Sequence, residues 1–226
     1  MKTFIQWLNE ETLNKKNIFV LVGPPSVGKS TWIKNNFTEK PYVINRDDIV
    51  DQVSSSLGLT YDDMFMAPPK DAQLGDSDPK YGTVVKSPAF MHWQPLSYSK
   101  ILEGNKIIND QLKQKFENAI HADSDIVVDM TNMNAQSRKN ALNAVKGHED
   151  KYRKIAVVFP FQGAEDIIKK NAAIRAAKIK STGGSKTIPD AAFDRMFSSF
   201  QHVDSSEGFD EITEVDNRDT LKKLIP

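Results

Sequence analysis

The sequence contains no cysteine. That excludes disulfides, thiol nucleophiles and cysteine zinc sites, and it fits a reducing compartment. It also lacks a surplus of charge. Its 30 Lys and Arg balance 30 Asp and Glu, which argues against a broadly basic nucleic-acid binder but leaves room for a local patch. No apolar run approaches the ~18 residues of a membrane span, and Met1-Lys2-Thr3-Phe4 leads into a mixed polar segment instead of a signal peptide. Internal repeats and low-complexity tracts are missing as well. The expectation is a soluble, cytoplasmic protein with no membrane partner. Its 226 residues, 39% hydrophobic and 27% charged, suit one α/β domain carrying an insertion.

What the chain does have is a phosphate loop. Gly23-Pro24-Pro25-Ser26-Val27-Gly28-Lys29-Ser30 follows the apolar run Ile18-Phe19-Val20-Leu21-Val22 and precedes Thr31-Trp32-Ile33-Lys34. This is the G-x-x-x-x-G-K-[ST] spacing in its strand–loop–helix context, in which backbone N–H groups and the positive helix end cradle the phosphates of a nucleoside triphosphate. Gly23 to Thr31 are therefore the expected nucleotide contacts. Lys29 is expected on the β- and γ-phosphates and Ser30 on Mg²⁺.

Two further polar stretches follow apolar runs. Pro41-Tyr42-Val43-Ile44 reads as a second strand and delivers Asn45-Arg46-Asp47-Asp48 to the rim where open α/β sheets bind ligands. One aspartate there is a natural general base for transfer to a hydroxyl, and the other a helix cap. Asp48 fits the cap, which leaves Asp47 for chemistry. Asp125-Ile126-Val127-Val128-Asp129 reads as a buried strand closing in an acid that faces a metal or its waters. Thr131 and Asn132 add polar groups beside it, and Asn134 is expected to cap the next helix, which contains Arg138.

Other segments set the surroundings. Phe4, Ile5, Leu8 and Leu13 recur at near-helical spacing, for packing on the sheet or for a partner. From Thr60 to Pro95, five prolines punctuate a stretch that reads as too irregular for a regular sheet or long helix, an insertion over the rim. Between Tyr61 and Pro79 it holds five aspartates against Lys70 alone. Its Tyr61, Phe65, Tyr81, Phe90, Trp93 and Tyr98 suit either a small satellite core or base stacking. A long helix from about Leu96 to His121 follows. After the strand Arg153–Phe159 comes a basic helix with Lys169, Lys170, Arg175, Lys178 and Lys180, broken at Gly183-Gly184. No acid interrupts Ile167 to Pro189. Such a hinged, basic segment is either a solvated charged face or one suited to close over a triphosphate and bring in an arginine. A helix from Pro189 and a last strand near Glu211–Val215 complete the reading.

With the phosphate loop, Asn45-Arg46-Asp47-Asp48 and Asp129-Met130-Thr131-Asn132-Met133-Asn134 in view, the chain resembles the phage-type polynucleotide 5′-hydroxyl kinases and the wider P-loop kinases. The similarity covers most of the chain apart from residues 60–95. It implies a three-layer α/β P-loop kinase domain over residues 1–226, with five parallel strands in the order 2-3-1-4-5, an insertion at about 60–95 and a lid at about 164–189. It also implies ATP or another NTP with Mg²⁺ as cofactors. By that resemblance Asp47 matches the general base, Lys29 and Ser30 the phosphate and metal contacts, Asp129 the second acid and Arg175 the lid arginine. Arg46, Asp48, Thr131, Asn132 and Arg138 become the expected acceptor contacts. Two departures stand out. Val50 occupies the place of an arginine three residues after the base, and the expectation is a kinase domain without the phosphatase half of the bifunctional enzymes. The acceptors implied are a 5′-hydroxyl of DNA or RNA first, then a hydroxymethylated pyrimidine in DNA, then a nucleoside or other small alcohol. A nucleotide-dependent switch or ATPase is the alternative of another class.

Overall fold

The computed structural model describes residues 15–65, 73–78, 82–86, 91–94, 98–122, 124–217 and 221. The expected N-terminal helix, Tyr81 and Phe90 lie outside that set. The chain runs through β1 (Lys16–Val22), α1 (Lys29–Asn36), β2 (Tyr42–Ile44), α2 (Arg46–Ser56), β3 (Ser77–Asp78), β4 (Gly82–Lys86) and β5 (Met91–Gln94). It continues through α3 (Tyr98–Ala119), β6 (Ile126–Val128), α4 (Ala135–Ala141), β7 (Tyr152–Val158), α5 (Glu165–Ser181), α6 (Asp190–Ser198) and β8 (Glu211–Glu214).

Five of these strands pair in the order β2-β6-β1-β7-β8, all parallel. Counting the parallel strands alone gives 2-3-1-4-5, as the resemblance implies. The centre is apolar on both faces, because parallel crossovers lay helices on each side. Ile18, Val20 and Val22 of β1 share one buried cluster with Ile126, Val128, Ala156 and Val158, covered by Ala119 of α3 and Ala141 of α4. Leu21, Val127, Ile155 and Val157 point the other way, into Ile168 and Ala172 of α5 and Phe193 of α6. Trp32 anchors the short α1 to that second face, meeting Phe19 and Phe37 edge-on at 5.7 Å each. The result is three layers.

A third cluster joins α2 to α3 through Ile49, Val50, Val53, Ile101 and Ile108, with Met64 beneath. Val50 is 0% exposed. The residue three positions after Asp47 thus serves packing, and no charged side chain would fit there without a buried partner.

The insertion departs from expectation. Residues 77–94 contain a three-stranded antiparallel sheet, β3-β4-β5, with Thr83 opposite Gln94 and Val84 opposite the backbone of residue 93. The reading of an irregular segment is corrected accordingly. Gly82-Thr83-Val84 alternates buried, exposed, buried, a strand period short enough to be hidden among prolines that fall between the strands in sequence.

The Gly183-Gly184 pair ends α5. Gly183 has φ 86°, its N–H donates to the Lys180 carbonyl, and Gly184 N–H donates to the Ile179 carbonyl. This double bond pattern with a left-handed glycine is a helix stop. It turns the chain sharply toward α2.

Candidate active site

Strand register builds the site. Ile44 pairs with Val128 and Val22 with Val158, so Gly23, Asn45 and Asp129 all leave the sheet at the same edge. Gly23 N–H donates to the Thr131 carbonyl at 2.9 Å, and Asp129 N–H to the Ile44 carbonyl at 2.9 Å. Asn45 Nδ2 reaches Asp129 Oδ2 at 3.2 Å. Three loops are thereby locked together beneath a cleft of about 520 Å³, within the size range of small-molecule sites. Pro25, Ser26, Gly28, Lys29, Ser30, Thr31, Arg46, Asp47, Asp48, Asp129, Thr131 and Arg175 all line it.

The phosphate loop enters α1 through Gly28 at φ 107°, a left-handed conformation costing an ordinary residue about 1–2 kcal/mol. Val27 is 0% exposed and packs in the core, so of this residue only the backbone can serve a ligand. Gly23 and Pro24 likewise stay out of the cleft wall, but both offer carbonyls to Lys29, whose Nζ donates to them at 2.9 and 2.8 Å. Burial lowers the Lys29 pKa to about 8, against the opposing pull of Asp129 and Asp47, while Arg175 adds to the lowering. A desolvated ammonium held by carbonyls is poised to gain from a polyanion.

Asp47 was expected opposite a capping Asp48. The cap is Asn45 instead: its Oδ1 accepts from Asp47 N–H at 2.8 Å and Asp48 N–H at 3.4 Å. Asparagine at that position is among the best N-caps, which was the signal available in the sequence. Both aspartate side chains are freed, and Asp47 makes contacts the sequence did not suggest. Tyr61 Oη donates to Asp47 Oδ1 at 3.1 Å, and Lys186 Nζ lies 3.4 Å from Asp47 Oδ2. Burial and the adjoining Asp47 carboxylate push the Tyr61 phenol well up, so it stays a donor. Phe65 packs on Tyr61 with ring centroids 5.0 Å apart, and the Arg46 guanidinium sits 5.9 Å from the Phe65 ring.

Asp129 is raised above the ordinary carboxylate value, first by burial, with Asp47 and Asp48 adding and Lys29 and Arg175 opposing. Among the described residues no group of three or more His, Asp or Glu forms a metal cage. The oxygen donors Ser30 and Asp129 nevertheless fit Mg²⁺, which binds through one or two protein oxygens plus substrate phosphates and waters.

Two expected acceptor contacts do not reach the cleft. Arg138 is 0% exposed. Its Nε and Nη2 donate to Glu207 at 2.6 Å each, and its remaining bonds go to the carbonyls of Asn132, Gln201 and His202. The expectation of an acceptor role for Arg138 is corrected: it ties α4 to the chain beyond α6. Asn132, 1% exposed at φ 47°, also lies outside this cleft: its Nδ2 donates to the Leu21 carbonyl at 2.8 Å and fastens the Asp129 loop to β1, and the residue borders a neighbouring cavity. Asn134 caps α4 as expected, in a reciprocal capping box with Ser137.

Comparison with known families matches residues 18–203 to the AAA domain model. No curated protein matches the chain. Among the described residues, no helix is long and apolar enough to cross a membrane.

Proposed function

The chain belongs to the AAA domain family, P-loop NTPase-like proteins of kinase type, and from that premise we propose that it transfers the γ-phosphoryl group of ATP to a hydroxyl of a nucleic acid, foremost a polynucleotide 5′-hydroxyl. One observation carries the reading: Lys29 and Asp47 line the same cleft, one suited to the donor's terminal phosphate and the other to an incoming alcohol.

In the reaction, the acceptor oxygen bonds to Pγ as the bond from Pγ to the β–γ bridging oxygen breaks. ADP departs with that electron pair, and the hydroxyl proton passes to the Asp47 carboxylate. Lys29 exchanges its two loop carbonyls for phosphate oxygens, and Arg175 offsets charge on the transferring group from the lid side. Ser30 and Asp129 are the residues that would hold Mg²⁺, which when bound neutralises charge on the β- and γ-phosphates. Asp48 and Arg46, with Thr131 across the cleft, remain as acceptor contacts. A neighbouring cavity of about 520 Å³ shares Met130 and Thr131 with the cleft. It gives an acceptor larger than a simple alcohol room for its body, which favours a nucleotide unit over a small substrate.

The test is terminally labelled ATP with Mg²⁺, offered in parallel to 5′-hydroxyl oligonucleotides, duplexes bearing hydroxymethylated pyrimidines, and free nucleosides. Label on the oligonucleotide 5′ end is expected. Label on nucleosides alone would refute the polynucleotide acceptor, and label on the modified base would transfer the assignment to that substrate. ATP consumed at a rate no alcohol changes would point to the switch or ATPase.

A further inference from the structure

The lid touches the base. Lys186 Nζ lies 3.4 Å from Asp47 Oδ2, 3.2 Å from Asp51 Oδ2 and 4.6 Å from the centre of the Tyr61 ring. Its side chain is 12% exposed, against about half for either aspartate. The loop carrying it is pinned on both sides: Thr187 N–H donates to Asp62 Oδ1 at 2.8 Å, and Asp62 N–H donates to Ser185 Oγ at 3.3 Å. Tyr61 holds the other oxygen of Asp47 at 3.1 Å. Both carboxylate oxygens of the best candidate for the base are thus occupied by protein groups, one from the insertion and one from the lid.

We propose that Tyr61 and Lys186 are positioning residues that act through Asp47 and withhold it until an alcohol arrives. The inference rests on the kinase reading above. Tyr61 fixes the carboxylate by Oδ1, directing Oδ2 into the cleft. Lys186 covers Oδ2 in the absence of acceptor. An acceptor hydroxyl that donates to Oδ2 replaces the ammonium, which keeps Asp51 as its partner and so does not become an unpaired, largely buried cation. Asp51 sits one helical turn after Asp47 on α2, so the handover needs a shift along one helix face only. Water is a poorer competitor than a bound acceptor, because it brings no binding energy from a remote part of the molecule. The device therefore holds back the wasteful step in which water takes the acceptor's place, its oxygen bonding to Pγ, its proton passing to Asp47, and ADP and inorganic phosphate leaving.

The full chain with Lys186→Met is expected to hydrolyse ATP without acceptor about five- to tenfold faster than the native protein, the population shift of one partly buried ion pair. Hydrogen exchange over residues 185–188 should rise in the same variant as the Thr187 bond to Asp62 loosens. Asp51→Asn removes the second partner and should do the opposite: slower acceptor-free hydrolysis, and a higher KM for the 5′-hydroxyl oligonucleotide with little change in kcat. Tyr61→Phe should lower kcat for transfer while ATP affinity stays at the native value. Hydrolysis by Lys186→Met at or below the native rate, or native exchange over residues 185–188, overturns the proposal, as does an Asp51→Asn protein that behaves like Lys186→Met. Hydrolysis and exchange are both read without any acceptor, so they are distinct from failure of the kinase reading, which shows as native protein that labels no alcohol.

Discussion

At the scale of single residues, the site separates groups that face the cleft from look-alikes that hold the fold. Arg138 is the sharpest case. In the sequence it follows an acid–Thr–Asn motif and reads as an acceptor contact, yet its guanidinium is enclosed and bonded to Glu207 and three carbonyls. Spacing from a motif does not reveal which face of a helix a residue occupies when α4 is only seven residues long. Removing one partner of such a buried pair costs about 3–5 kcal/mol. Arg138→Ala should therefore lower the denaturation midpoint substantially, while its nucleotide affinity, measured where the variant is folded, stays near native. Glu207 adds a pH signature. Its hydrogen bond from Arg138 holds its carboxyl below the ordinary value of 4.5. The pair's stability is fully present above the unfolded value and is lost as pH falls through the lower folded one. Denaturant midpoints followed from pH 6 to pH 3 should fall for the native protein in that acid range, and Glu207→Gln should lack that part of the fall.

At the scale of elements, most boundaries were legible because apolar runs and caps coincide. The buried strands β1, β6 and β7 read as continuous apolar stretches, and Asn134 announced the start of α4. The α2 cap was misassigned because Asn45, Asp47 and Asp48, three residues of cap type within four positions, compete for one place, and the bonds from Asp47 and Asp48 N–H to its Oδ1 fix Asn45 as the last residue outside the helix. That cap has two functions, which gives a separable prediction. Asn45→Ala should cost about 1 kcal/mol of stability and also lose the bond to Asp129. Asn45→Asp should recover most of that stability, as aspartate caps equally well, yet it cannot donate to Asp129 and sets a like charge beside it. Thermal denaturation together with turnover measures the split: both variants are expected to turn over slowly, and only Asn45→Ala to be less stable. The basic segment after β7 belongs to this scale as well. Its basic character showed in the sequence, but its docking through Lys186 and Thr187 did not, because that depends on where the glycine stop of α5 aims the chain.

At the scale of the whole molecule, zero net charge and a cleft with both signs of charge set the salt behaviour. A polynucleotide acceptor should show a KM that rises steeply with salt, through release of counterions from its phosphates, whereas a free nucleoside should show almost none. KM series for both acceptors between low and physiological ionic strength make that comparison. The three-layer architecture was legible throughout, since strand–loop–helix order with buried parallel strands admits few topologies. The small antiparallel sheet was not, because its strands are short and flanked by prolines. The central claim is that Asp47 takes a proton in a cleft where Lys29 holds the donor. Its most direct test is a single-turnover comparison of native and Asp47→Asn protein, with labelled ATP prebound at measured affinity and then mixed with a 5′-hydroxyl oligonucleotide. The expected result is unchanged ATP affinity with label transfer slowed roughly 10²- to 10⁴-fold; an Asp47→Asn protein that transfers label at the native rate would contradict the account.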